Sequence, residues 1–512
     1  MEQEKKQFTI ATAIPYLNAK AHIGHALEYV FSDVIARYHK QQGEDVVAIM
    51  GADEHGQKIA RSAQDSGVTP QAYVDALVPK FLELHTALGV SYDRFIRTTD
   101  ADHARIAQAL WKKVQAAGFI DEREYEGLYC VGCEAFKTEA ELVDGKCPDH
   151  LKEPEMIREK NYFFQLSKLQ QALLEWYDAH PQWIVPQSKM NEMRAFIERG
   201  LEDISISRDV SKMSWGIPVP DDDSQVMYVW FDALPNYLTG AGVTPEMIAS
   251  GDVSGSRWPV DLINLGKDIN RFHAILFAAM LIAADLPLPK QLGVHGFISV
   301  NGQKMSKSIG NVIDPIDLIE KFGAEPTRYL LMAEIPFQSD GDISMEKLHD
   351  RYTADLSNGI GNLLSRTTTM VEKFCAQADE CVCQESGFDA SKAEEWKNEF
   401  APHESAFAVA MRGMDFHIAI QQIQKIVSLC DEKLEQEKPW EVFKLKEEEF
   451  TARYGEALAS LSYSLIGLRS IARLLQSFIP ETAQKISKTV NVERIHHIRK
   501  AAPLFPRIEL NK

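Results

Sequence analysis

The chain has 512 residues, 45% of them apolar and 25% charged, a composition ordinary for a globular protein and a length that suits about three domains. A formal charge of −19 excludes indiscriminate coating of nucleic acid, which depends on Lys and Arg neutralising phosphates, and leaves room only for local basic faces such as residues 485–512. Seven cysteines are too few for a disulfide scaffold, the charged start has no hydrophobic stretch behind it, and the longest apolar run, 274–284, is too short to span a bilayer, so a cytoplasmic protein with no membrane segment is expected.

Residues 8–14 are an apolar run rich in β-formers, broken by Pro15 and Asn18. A helical pattern begins at Ala21 and continues through Leu27, Val30, Phe31, Val34, Ile35 and Tyr38, and 45–50 reads as a second buried strand before Gly51. This βαβ unit predicts half of a parallel sheet. Strand patterns return at 226–230, 262–265 and 292–297, so an insertion is expected over 120–222. Beyond residue 346 the pattern turns helical, with one stripe through Leu363, Leu364, Met370, Val371 and Phe374 and another through Leu458, Leu461, Leu465, Ile466, Leu468, Ile471 and Leu474. The predicted architecture is α/β: a Rossmann-type parallel-sheet domain in two halves, 1–119 and 223–345, an inserted connective subdomain over 120–222, and an all-α helical bundle over 346–512. Residues 376–394, acidic and polar, read as an excursion between helices.

Two short strings carry the chemistry. His22-Ile23-Gly24-His25 stands where strand turns to helix, so both histidines share one face beside unpaired N–H groups and the positive end of the dipole, and Gly24 lets a base or phosphate approach the backbone. Lys304-Met305-Ser306-Lys307-Ser308 is bounded by Asn301-Gly302 and Gly310-Asn311, a loop able to close two ammonium groups on a triphosphate as pyrophosphate leaves. Each alone also reads as an ordinary helix start or a solvated turn; together they predict ATP chemistry at one split site. Gly266 and Asp268 follow a buried strand, where a carboxylate can accept from ribose hydroxyls or simply cap a helix. Cys130-x-x-Cys133 and Cys147-x-x-His150 pair four ligands for one tetrahedral Zn2+, with no open position and hence a structural role. Cys375, Cys381 and Cys383 lack such spacing.

With these signatures the chain resembles the class I aminoacyl-tRNA synthetases, and within them the methionyl-tRNA synthetase family. The finer likeness lies in Ala13-Ile14-Pro15-Tyr16-Leu17-Asn18, Gly51-Ala52-Asp53-Glu54-His55-Gly56, Tyr228-Val229-Trp230-Phe231-Asp232-Ala233 and Gly266-Lys267-Asp268-Ile269 through His273, and it runs almost end to end. The resemblance implies that Ile14, Tyr16, Trp230, Ala233, Tyr237, Ile269 and His273 wall a methionine site and that Asp53 holds the substrate ammonium. Aromatic rings suit a polarizable thioether, although Tyr16 and Trp230 taken singly read equally as core residues. It implies an ATP site of His22, Gly24, His25, Gly266, Asp268, Ile298, Lys304, Ser306 and Lys307, with Mg2+ accompanying the nucleotide and with His22, His25, Lys304 and Lys307 acting catalytically by position and charge. For the tRNA anticodon it implies Asn362 and Arg366, one helical turn apart, and Trp440 after Pro439. The chain departs from the family's pattern at His150, where related knuckles usually carry a fourth Cys, and at Asp431 and Lys433, where Asn and Tyr are more usual.

The implied activity is a methionine–tRNA ligase that forms methionyl-adenylate from L-methionine and ATP and then acylates the terminal ribose of tRNA(Met), serving elongation and initiation. The zinc-bearing insertion would sit over the acceptor end of the tRNA. A monomer is expected, since no OB-type extension follows residue 512. Two alternatives stay open: a class I synthetase for another amino acid, for which residues 120–222 leave little room for an editing domain, and a synthetase-like tRNA-binding protein without catalysis, against which the intact histidines and lysines speak.

Overall fold

The computed structural model describes residues 5–131, 135–137, 139–148, 151–305, 313–377, 390–490, 495 and 497–509, with backbone alone at 125, 126, 135, 136, 140, 157–159, 304, 377, 390, 391, 447 and 451. It divides into two compact units. One comprises Met1–Ser32, Glu44–Thr86 and Val90–His295; the other comprises Asp33–Gly43, Ala87–Gly89 and Gly296–Lys512.

The first unit is built on a parallel sheet. Its strands are β1 (Gln7–Thr12), β2 (Asp45–Ala52), β3 (Arg94–Arg97), β4 (Ile184–Val185), β5 (Leu262–Gly266) and β6 (Leu292–His295), in the order β3-β2-β1-β5-β6-β4. Every neighbouring pair is parallel. Covered on both faces, β1, β2 and β5 are buried almost throughout rather than on alternate residues. Chain order reverses between β1 and β5, which opens a crevice at the carboxyl ends of those two strands. Helix α1 (Ile23–Gln41) starts at that crevice. Buried polar contacts seat it: Asn264 Nδ2 donates to the Glu28 carbonyl (3.1 Å) and to Ser32 Oγ (2.9 Å), and Thr12 Oγ1 donates to Ser32 Oγ (2.8 Å).

The region expected as an insertion carries an antiparallel sheet ordered Ala135–Lys137, Ile120–Cys130, Glu155–Phe164, Ile204–Ser205, and a second ordered Pro218–Val219, Asp222–Met227, Ser207–Asp209. Two expectations need correction. The chain re-enters the parallel sheet inside 120–222, through the two-residue strand β4, too short to register as a pattern. The run 226–230 is not a strand of that sheet: Asp222–Met227 pairs antiparallel, and Val229–Ala233 is helical because the Tyr228 carbonyl accepts from Phe231 and Asp232 N–H. A short apolar run has no periodicity that separates these outcomes.

In the second unit, Ile298–Val300 and Gln303–Lys304 form a hairpin. Its two-residue turn is Asn301-Gly302, both at positive φ (53° and 72°), the conformation that a type I′ turn demands and that Asn and Gly accept most readily. Gly341–Ile343 adds a parallel strand. Asp342 anchors the hairpin, accepting from Gly302 N–H (2.6 Å) and Ser299 Oγ (2.8 Å), while its pairing with Lys347 (2.8 Å) leads the contacts that hold its carboxyl down at about 2. The helices Met345–Arg351, a π-helical stretch Tyr352–Gly361, Asn362–Gln377, Ala390–Arg412, Phe416–Glu437, Glu447–Leu475 and Pro480–Thr489 follow. Beneath them Arg328, 1% exposed, donates to the carbonyls of Phe478 (2.8 Å) and Leu88 (3.1 Å) and pairs with buried Asp33, which Arg37 also contacts. Among the described residues no helix is long and apolar enough to cross a membrane.

Candidate active site

The histidine string occupies the first turn of α1. Gly24 N–H donates to His22 Nδ1 (3.1 Å), His22 N–H donates to His25 Nδ1 (3.1 Å), and the two rings lie 4.0 Å apart. A Cβ at Gly24 would fall 2.9 Å from His22 Cε1, so the glycine is a steric requirement of this ring position. Phe81 meets the His25 ring edge-on at 5.4 Å. Burial, followed by the neighbouring His22, pushes the His25 imidazole down to about 3, so it works as a neutral hydrogen-bonding group.

Across the crevice, a Cβ at Gly266 would lie 2.7 Å from Asp268 Oδ1 and 3.6 Å from His295 Cε1, so the missing side chain leaves the turn after β5 open around that carboxylate. His295 Nε2 stands 3.5 Å from Glu28 Oε1 on α1. Burial raises the Glu28 carboxyl, and Asp268 adds to that. Glu28 and His295 thus border the expected ribose-binding turn; neither carries a motif of its own in the sequence.

The loops after β1 and β2 are stitched together. Tyr16 and Asp53 form a parallel bridge, with Asp53 N–H donating to the Pro15 carbonyl (2.9 Å) and Leu17 N–H to the Asp53 carbonyl (3.0 Å). Ile14 lies beside Gly51, where a Cβ would meet Ile14 Cγ2 at 2.8 Å and the Ile96 carbonyl at 2.4 Å. Next to Asp53, the buried Glu54 carboxylate accepts from Arg97 Nε (2.7 Å) and Thr99 Oγ1 (2.5 Å), while Trp215 Nε1 donates to its carbonyl (2.6 Å).

Four of the expected wall residues make direct contact. Tyr237 Oη lies 2.7 Å from His273 Nε2, and His273 Nδ1 lies 2.9 Å from the Ile269 carbonyl. Since a carbonyl only accepts, Nδ1 carries the proton and Nε2 accepts a hydrogen bond from the phenol. Burial pushes His273 down to about 4 and raises Tyr237, so this pair stays uncharged. Trp230 stacks on Phe272 (3.9 Å, 5°) and meets His273 edge-on at 6.3 Å. Ala233 is buried in the Trp230 helix. Phe272 was not singled out from sequence, although it stands inside the string that runs from Gly266 to His273.

A buried ionic cluster lies behind this wall. His55 Nδ1 is 2.7 Å from Asp232 Oδ2, and His103 Nε2 is 3.2 Å from Asp232 Oδ1 and 3.0 Å from its carbonyl. Burial alone would raise the Asp232 carboxyl; His55 and His103 together hold it below its ordinary value.

The remaining expected residues lie elsewhere. Ile298 is buried in the first strand of the second unit's hairpin and Lys304 ends its return strand, while Ser306 and Lys307 are outside the described residues. Cys130 and Cys147 are both buried, and the Cys147 carbonyl accepts from Leu151 N–H (2.8 Å); Cys133 and His150 are outside the described residues. Among the described residues no group of three or more His, Cys, Asp or Glu is placed to hold a metal ion. On the helix Asn362–Gln377, Arg366 pairs with Glu435 (2.8 Å) and Asp431 (3.6 Å), and its guanidinium lies 5.4 Å from the centre of the Trp440 ring. Lys433 pairs with Glu437 (2.8 Å), so both departures from the family's pattern make ion pairs in place.

Comparison with known proteins follows the same lines. A family model described as tRNA synthetases class I (M) matches residues 8–153 and 150–368, and one described as the anticodon binding domain of methionyl tRNA ligase matches 384–509. The methionine–tRNA ligase of Clostridium acetobutylicum is 40% identical over 99% of this chain and 79% of its own length. That of Thermosynechococcus vestitus is 41% identical over 94% of this chain and 89% of its own. The structure of Mycobacterium tuberculosis methionyl-tRNA synthetase in complex with methionyl-adenylate superposes with a TM-score of 0.87 at 36% identity, covering 98% of each chain.

Proposed function

The chain belongs to the methionyl-tRNA synthetases of class I, and from that premise we propose how its residues divide the work of a methionine–tRNA ligase. The reaction has two steps. The methionine carboxylate attacks the α-phosphorus of ATP and expels pyrophosphate; a ribose hydroxyl at the tRNA terminus then attacks the carbonyl of methionyl-adenylate and releases AMP. No bond to the enzyme is needed, so catalysis is positioning and charge stabilisation.

The carrying observation is the neutral Tyr237–His273 pair with Trp230 beside it: polarizable, uncharged walls suit a thioether and reject a charged side chain. Asp53, bridged to Tyr16, takes the substrate ammonium. His22, Gly24 and His25 receive ATP phosphates at the first turn of α1, Gly266 and Asp268 take the ribose, and Ile298 contributes apolar surface to the nucleotide. Lys304, Ser306 and Lys307 neutralise charge on the departing pyrophosphate, whose Mg2+ arrives with ATP. Asn362, Arg366 and Trp440 read the anticodon of tRNA(Met). Two buried thiols, Cys130 and Cys147, suit a structural Zn2+ completed by Cys133 and His150, which would crosslink the inserted subdomain. A monomer working in the cytoplasm accords with the roles assigned. The test is ATP–pyrophosphate exchange run against each amino acid: exchange with methionine alone is expected, and exchange with a different amino acid, or none, would sink the reading.

A further inference from the structure

Asp232 and His55 each stand in a string that borders the methionine wall, two residues beyond Trp230 and Asp53 respectively, yet neither has a part in the chemistry above. They meet at 2.7 Å, and His103 from the helix Ala101–Ala116 closes on the other carboxylate oxygen at 3.2 Å. None of the three side chains is more than 8% exposed. The other nitrogen of His103 lies 3.2 Å from Thr239 Oγ1, on the helix that carries Tyr237. A buried carboxylate between two imidazoles is costly to remove from water, and apolar residues of the same volume would fill this space at least as favourably. What such a cluster adds is direction, because each oxygen and ring nitrogen must face its partner.

Direction is what these segments lack by themselves. Val229–Ala233 and Asn236–Gly240 are helices of five residues each, far below the length at which a helix holds its own shape, and Asp53 lies just past the end of β2, in an isolated bridge to Tyr16. We propose that Asp232, gripped by His55 and His103, is a positioning residue for methionine: it sets the loop of Asp53 against the two short helices carrying Trp230, Ala233 and Tyr237. The separation between the ammonium site and the thioether wall is thereby fixed. The proposal rests on the assignment of Asp53 and Trp230 to methionine.

The test uses the full chain in methionine-dependent ATP–pyrophosphate exchange, with thermal midpoints measured alongside. Asp232→Asn should raise the methionine KM on the order of ten-fold or more while the ATP KM stays within about two-fold. His103→Gln, which can still donate to the carboxylate, should recover most of what His103→Leu loses. A methionine KM unchanged in Asp232→Asn and His103→Leu overturns the role, and so do methionine and ATP KM values that rise in step as the midpoint falls. If Asp232→Asn does not fold, the histidine pair decides, since equal KM values for Gln and Leu at position 103 overturn it. Asp53→Ala separates the two readings: no effect there overturns the pocket assignment itself, whereas an effect at Asp53 without one at Asp232 overturns the positioning role alone.

Discussion

The phenol of Tyr237 donates to Nε2 of His273 across 2.7 Å, and the imidazole donates in turn through Nδ1–H to the Ile269 carbonyl. Tyr237→Phe removes that donor and leaves a buried nitrogen without one, a loss of about 1–3 kcal/mol. Protonation does not rescue it, because burial holds His273 at about 4. The expected result is a lower unfolding midpoint together with a raised methionine KM and little change in the ATP KM; wild-type methionine kinetics would remove His273 from the site.

Gly24→Ala separates helix propensity from ligand geometry. Alanine favours a helix over glycine by roughly 1 kcal/mol, yet its Cβ would press within 3.0 Å of His22 Nδ1 and 2.9 Å of Cε1. Stability should hold or rise while the ATP KM climbs, measured by exchange at saturating methionine. An unaltered ATP KM would show that the ring position of His22 is immaterial.

Lys307→Ala should cut adenylate formation by orders of magnitude and leave methionine affinity nearly unchanged, since its charge acts only on the phosphates. Single-turnover formation of methionyl-adenylate reads the first quantity and equilibrium binding of methionine the second. Full exchange activity in the variant would take the lysine out of the chemistry.

Trp440→Ala should spare pyrophosphate exchange and depress aminoacylation of tRNA(Met), because stacking of an unpaired base on an aromatic ring is worth about 1–3 kcal/mol. It also removes the ring that lies beneath the Arg366 guanidinium. Equal loss in both assays would point to a folding defect instead.

Acid should weaken the fold through buried imidazoles. His85, 1% exposed among Tyr29, Tyr92 and Phe95, is pushed down to about 4 by burial, as is His273. The unfolded chain binds protons near pH 6.5 that the folded one refuses. Their stabilisation is therefore complete above pH 6.5 and lost as pH falls toward 4, by up to about 1.4 kcal/mol per pH unit for each ring. Neither ring nitrogen of His85 has a hydrogen-bond partner among the described residues, so His85→Phe should flatten the dependence of urea stability on pH between 7 and 5 without altering exchange activity. An equal slope in variant and wild type would refute this.

Strands β1, β2, β5 and β6 are legible in the sequence because short runs rich in apolar and β-branched residues, bounded by Pro, Gly or Asp, mark strands buried on both faces. Strand β4 is not, having two residues and no pattern, and the run 226–230 reads as one strand although it joins the end of Asp222–Met227 to the start of the helix Val229–Ala233, because a short apolar run fits either form. At the site, residues that sit in motifs announce themselves. The pairing of His55 with Asp232 and of Glu28 with His295 does not, because it exists only once distant segments are folded together. Asn301-Gly302, legible only as a boundary of the lysine loop, is a defined turn whose anchor, Asp342, lies far along the chain.

The buried pair of Arg328 and Asp33 places a constraint on how this sequence can change. Removing Asp33 strands the Arg328 guanidinium in the interior at a cost of about 3–5 kcal/mol, whereas removing Arg328 leaves Asp33 still paired with Arg37, so the two losses are unequal. Arg328 is therefore the more replaceable of the two, provided that Arg37 stays. Tolerance to change at position 33 is thus set by a residue nearly three hundred positions further along the chain.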